Sequence, residues 1–216
     1  YYWLKEDSVD SILIVTKKSL IKNWNNELEF HGNMKPIILS SDKASNYEKM
    51  ALPGFIYLCN YEAVRGNTNA FLEFLKFRNV GVILDESTQI KTPSSKIANS
   101  LHVIATKAKK RIIMTGTPLS NRPYDIWSQI YFLDFGERLG SNFDDFKEKY
   151  DLSNDLANDY AGRIIFKNNL KLLNEKLKDC SIRETKETAG IELPRRKFIA
   201  EKIEMEPRQR VLYEKL

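Results

Sequence analysis

Asp85 and Glu86 are adjacent carboxylates that end an apolar run, Val80-Gly-Val-Ile-Leu84. Side chains alternate between faces along a strand, so two neighbouring acids can serve one ligand only where the strand ends. At such a tip the first acid can hold a hydrated Mg²⁺, and the second can orient water against a phosphate. An ordinary surface turn begins with the same pattern. A second apolar run, Arg111-Ile-Ile-Met114, leads into Thr115-Gly116-Thr117-Pro118. Its two hydroxyls can bond a carboxylate or phosphate, and its glycine permits close backbone approach. A plain strand-to-helix turn reads alike. A third run, Ser11-Ile-Leu-Ile-Val15, leads into Lys17-Lys18-Ser19. Two ammonium groups and a cap hydroxyl at a helix start suit a phosphate. The alternative is a simple capped helix with Trp24 in the core. Asn60-Tyr61-Glu62 also follows an apolar run and, taken alone, is a loop.

These tips need a scaffold. Short apolar runs at 11–15, 36–39, 54–59, 80–84 and 111–114 read as strands. Helical patterns separate them: 19–30 capped by Ser19, 68–77, a stretch near 95–105, and 123–133 with Pro123 in its first turn. Short buried strands alternating with helices predict an α/β fold, a mostly parallel sheet with helices on both faces. Ligands of such sheets bind beyond the carboxyl ends of the strands. After residue 136 the strand signal stops. Gly136 and Gly140 bracket a turn, Phe143, Phe146 and Tyr150 form a helical stripe best read as packing, and 168–177 is a further helix. The expected division is 1–136 for the sheet domain, 137–190 for a helical appendage and 191–216 for a passage onward. In that passage 197–205 alternates as a strand and a helix starts at Pro207.

The chain has 216 residues, 34 Lys and Arg against 29 Asp and Glu, and 42% hydrophobic residues. That is enough apolar material for a core, and it excludes wholesale disorder. No apolar run approaches the length of a membrane span. Cys59 and Cys180 are the only cysteines, which excludes a disulfide framework and a Cys-rich zinc site and suits a reducing compartment. His31 and His102 have no ligand spacing around them. No acid occurs from Ser87 to Tyr124, a stretch holding seven Lys and Arg. It is either a phosphate-attracting field or a solvated face. The opening Tyr1-Tyr2-Trp3 has no initiator Met and no signal-peptide pattern, and the chain is expected to be an excised piece. Its Lys- and Asn-rich usage points to a bacterial or viral cytoplasm, or to the nucleus if the source is eukaryotic.

In order and spacing these segments resemble the first RecA-like lobe of Swi/Snf-type ATPases, helicase-like translocases of superfamily two. Leu84-Asp-Glu-Ser-Thr-Gln-Ile-Lys91 is similar to that family's DExx box. Thr115-Gly-Thr-Pro-Leu-Ser-Asn121 with Asp125-Ile-Trp127 is similar to motif III and its following helix. Ser19-Leu-Ile-Lys-Asn-Trp24 resembles motif Ia, and Asn60-Tyr61-Glu62 resembles motif Ib. The resemblance runs from about residue 11 to 216.

It implies an ATP-driven motor on double-stranded DNA, with ATP and Mg²⁺ as cofactors and a second RecA-like lobe as partner. Asp85 would hold Mg²⁺ through water and Glu86 the attacking water. Ser87, Thr88, Thr115, Gly116 and Thr117 would couple nucleotide state to DNA grip. Lys17, Lys18, Ser19, Asn60, Tyr61 and Lys91 would contact nucleic-acid phosphates. Two departures stand out: Lys17 where the family usually has Pro, which can add a phosphate contact, and Thr88 where it has His, although Ser87 or Thr88 could bond across to Thr115 or Thr117. None of the nine glycines is followed by Lys, so the phosphate loop is not among these residues. The alternatives are the motor of a restriction or phage-defence complex and a non-catalytic lobe that binds DNA or a protein.

Overall fold

The computed structural model describes residues 2–6, 8–116, 123–150, 152, 160–185, 188–190 and 197–214. They fall in two compact units, Tyr1–Asp179 and Cys180–Leu216. In chain order the first unit contains α1 (Tyr2–Lys5), β1 (Ser11–Thr16), α2 (Ile21–Gly32), β2 (Ile37–Ile38), α3 (Lys43–Ala51), β3 (Ile56–Asn60), α4 (Tyr61–Gly66) and α5 (Thr68–Phe77). It continues with β4 (Val80–Asp85), α6 (Lys96–Ala105), β5 (Lys110–Met114), α7 (Asp125–Asp134), α8 (Phe143–Tyr150) and α9 (Tyr160–Leu177).

The strands form one sheet in the order β2-β3-β1-β4-β5, and every pairing is parallel. β1 is buried at all six positions, as expected of a central parallel strand covered on both sides. Its alternation sorts the two cores. Ile12 and Ile14 join Ile56 and Leu58 beneath Trp24 and Leu28 of α2. Leu13 and Val15 join Tyr57, Cys59, Val82 and Leu84 beneath Phe71, Leu101 and Ile104. A further cluster unites Ile126, Trp127 and Ile130 of α7 with Phe146, Tyr150 and Leu173. Phe146 and Tyr150 are buried there, so the aromatic stripe packs.

The register sets the site. Thr16 lies beside Asn60, Val15 beside Leu84, and Asp85 beside Met114. The carboxyl tips of β3, β1, β4 and β5 therefore share one edge. From β1 the chain first builds outward through β2 and β3, then crosses to β4. The reversal leaves a crevice between the β1 and β4 tips, the usual ligand position in such sheets.

Several expectations need correction. The helix expected from Ser19 starts as a 3-10 turn, Lys18–Leu20, with Lys17 extended before it and no side-chain cap. Phe30 stands 84% exposed, because the apolar stripe of α2 ends at Leu28. Residues 197–205 form no strand. Their alternation provides a face, but a strand needs a ladder partner, and none is present among the described residues. The Gly136–Gly140 turn is present. Gly136 sits at φ +93°, where a Cβ would lie 2.6 Å from the backbone of Gly140 and Ser141.

In the second unit α10 (Pro207–Tyr213) begins at a proline and is closed by reciprocal bonds between Glu206 and Gln209.

Candidate active site

Asp85 is the last residue of β4, and its Oδ2 accepts two hydrogen bonds. Thr16 Oγ1 donates at 2.9 Å and Trp24 Nε1 at 2.7 Å. Thr16 is fully buried at the end of β1, and Trp24 lies in the first turn of α2. The indole is half-buried: its ring packs on the β1–β3 face while its N–H holds the carboxylate. Trp24 was expected to be core alone. Among the described residues, Oδ1 of Asp85 accepts no hydrogen bond. One carboxylate oxygen is thus fixed, and the other remains available for the water shell of a cation.

Glu86 follows in the left-handed region, φ 54° and ψ 50°. For a residue with a Cβ this costs about 1–2 kcal/mol. The kink ends the strand and starts the 3-10 turn Ser87–Ile90. Lys17 Nζ lies 3.5 Å from Glu86 Oε2, with 40% and 36% of the two side chains exposed. The segment from the end of β1 to the first turn of α2 therefore touches both acids. Tyr61 adds a third support, its hydroxyl donating to the Asp85 carbonyl at 2.7 Å. Burial, and then the charges of Asp85, Cys59 and Glu86, push its ionisation far above that of an ordinary phenol.

Thr115 and Gly116 continue from β5 directly beside this tip; Thr117 lies outside the described residues. Among the described residues, neither Ser87 nor Thr88 makes the expected bond to Thr115. Ser87, fully buried, donates instead to Gln129 Oε1 of α7 at 2.7 Å. Ser128 donates to the Ile90 carbonyl, and Lys91 pairs with Asp125 at 3.3 Å. Three contacts from Asp125, Ser128 and Gln129 thus bind the DExx turn to α7. Thr88 lies within that turn, half-buried. Replacing Ser87 by Ala removes the hydroxyl from a dry pair and should cost about 1–3 kcal/mol of stability. Urea unfolding measures the loss, and a variant as stable as the parent would refute the pairing.

The nucleic-acid candidates divide. Lys18 and Ser19 are exposed on the 3-10 turn, and Lys17 is half-buried. Asn60 uses its side-chain oxygen to cap α4, accepting from the Ala63 N–H at 2.8 Å. Tyr61 is 1% exposed, so its ring is not available to nucleic acid; the aromatic after β3 turned inward. Lys91 is tied to Asp125, as above. Cys59 is fully buried and its thiol is pushed well up by desolvation, which leaves it inert. Burial also holds His102 below its ordinary range, against a bond to the Ser128 carbonyl.

Thr16, Trp24, Asp125, Ser128 and Gln129 were missed as site residues. Thr16 carried a usable signal, a hydroxyl ending an otherwise apolar buried strand. Gln129 carried another, an amide inside the apolar face of α7. Among the described residues no group of three or more His, Cys, Asp or Glu could cage a metal, and no helix is long and apolar enough to cross a membrane.

This architecture has known counterparts. The SWI2/SNF2 ATPase core of Sulfolobus solfataricus, solved in complex with dsDNA, superposes with a TM-score of 0.66 at 26% identity, covering 88% of this chain and 37% of that one. The sheet and its helices are RecA-like. The DNA excision repair protein ERCC-6-like of Danio rerio is 34% identical over 154 residues, 64% of this chain and 10% of that protein. The DNA repair and recombination protein RAD54-like of Mus musculus is 28% identical over 203 residues, 86% of this chain and 26% of its own length. The chain thus spans between a tenth and about a quarter of these two relatives. A family model for the SNF2-related domain matches residues 3–216, and the chain belongs to that family.

Proposed function

We propose that this chain is most of the first motor lobe of an ATP-dependent translocase on double-stranded DNA. The observation that carries the proposal is the crevice between the β1 and β4 tips. There Asp85 is held by Thr16 and Trp24, and Glu86 sits beside the basic β1–α2 turn. Asp85 fits Mg²⁺, an ion that keeps most of its waters and takes one or two carboxylates together with substrate phosphates. Bound there, the ion would neutralise charge on those phosphates. Glu86 orients the attacking water. The ATP phosphates require a loop that these 216 residues do not contain, so it comes from sequence outside them, as does a second RecA-like lobe. The three contacts between the DExx turn and α7 then carry nucleotide state towards the threonine turn.

DNA contacts at Lys17, Lys18 and Ser19 are phosphate contacts and give affinity steep in salt and nearly blind to sequence. Changing Lys17 and Lys18 together to Glu should weaken duplex binding at every sequence and lower the salt slope by about 2. An unaltered slope would mean that the lysines stay in water. The 216 residues by themselves should show no Mg²⁺-dependent ATP turnover. Robust turnover would show that the outside loop is not required.

A further inference from the structure

We propose that Lys17 is a shared cation: without DNA it pairs with Glu86, and a DNA phosphate arriving at the β1–α2 turn draws it away and frees that carboxylate. The proposal rests on Glu86 being the group that orients the attacking water. It makes Lys17 a positioning residue that links DNA binding to hydrolysis.

Three observations carry it. First, Lys17 is the partner of the Glu86 carboxylate among the described residues. A carboxylate neutralised by an ammonium 3.5 Å away is a weaker acceptor for water. Second, the pair is built to exchange. With 40% and 36% of the side chains exposed, it is screened by water and easily displaced. Third, the competing ligand has a place to land. Lys18 and Ser19 are exposed next to Lys17, so a backbone phosphate can settle on the same turn. Asp85 is held differently, by two neutral donors from buried Thr16 and from Trp24. DNA would therefore disturb the second acid of the pair and leave the first in place.

Linkage makes the idea measurable without ATP. If DNA loosens the Lys17–Glu86 pair, removing the Glu86 charge must tighten DNA by the same factor, and only where Lys17 is present. Binding of a short duplex is measured by anisotropy for the parent, Glu86→Gln, Lys17→Gln and the double variant. Glu86→Gln should tighten binding by about two- to fivefold when Lys17 is intact. In the Lys17→Gln background the gain should fall below about 1.5-fold. Equal gains in both backgrounds would overturn the shared cation.

The second readout is DNA-free ATP turnover of the full-length protein. Lys17→Gln should raise it by about two- to fivefold. No rise with Lys17→Gln would overturn the proposal. The two failures are separable. If Glu86→Gln hydrolyses ATP at the parent rate, the hydrolytic role of Glu86 falls, and the release with it. If Glu86→Gln is inert and the binding cycle shows no coupling, that role stands and only the shared cation falls.

Discussion

Replacing Glu86 by Gln in the full-length protein should leave ATP binding intact and lower DNA-stimulated hydrolysis by about a hundred- to ten-thousandfold, the range a positioned general base contributes. The substitution is nearly isosteric. It keeps the left-handed backbone at 86 and the 3-10 turn after it, so Ser87 still reaches Gln129 and Lys91 still reaches Asp125. What disappears is a charge that can take a proton from water. Filter binding or calorimetry checks retention of nucleotide, and a coupled assay checks turnover. Parent-level turnover would remove Glu86 from the chemistry.

Asp85 should separate stability from activity through two different substitutions. Asp85→Asn keeps an oxygen where Thr16 and Trp24 donate, so unfolding should stay within about 1 kcal/mol of the parent. Its amide nitrogen replaces the oxygen left for a hydrated cation. Turnover should fall at least about a hundredfold, the counterpart of losing several kcal/mol of charge stabilisation. Asp85→Ala loses the same chemistry and also leaves the buried Thr16 hydroxyl without its acceptor. That variant should lose about 1–3 kcal/mol, a fall of several degrees in Tm for a domain of this size. Equal stability for the two variants would mean that the Thr16 and Trp24 bonds contribute nothing to the fold.

The strands were legible because parallel strands covered on both faces leave continuous apolar runs. Ser11–Thr16 and Val80–Asp85 stand out in any hydropathy trace. The helices α3 and α4 were not. The former buries only Asn46 and Met50 of nine residues, too few for a period to show. The latter is six residues long and starts on the Asn60 cap. In the site, the acids could be placed because a strand tip is a local feature. Their partners could not, since Trp24 and Asp85 are 61 positions apart. Nothing in the residues around Trp24 says that the indole N–H faces a carboxylate. Tyr61 fails for the opposite reason. An aromatic just past a strand can turn out to a ligand or in to the core, and only packing decides.

The backbone at position 86 has a consequence for anyone improving this protein. Glycine adopts φ 54° without the steric penalty that glutamate bears, though it gives up more freedom on folding. A screen that rewards heat resistance alone would therefore tend to collect Glu86→Gly, a sturdier chain without the carboxylate proposed to orient water. Glu86 shares the left-handed region with Asn33 and Phe135, but at position 86 durability and the proposed turnover would have to be selected together.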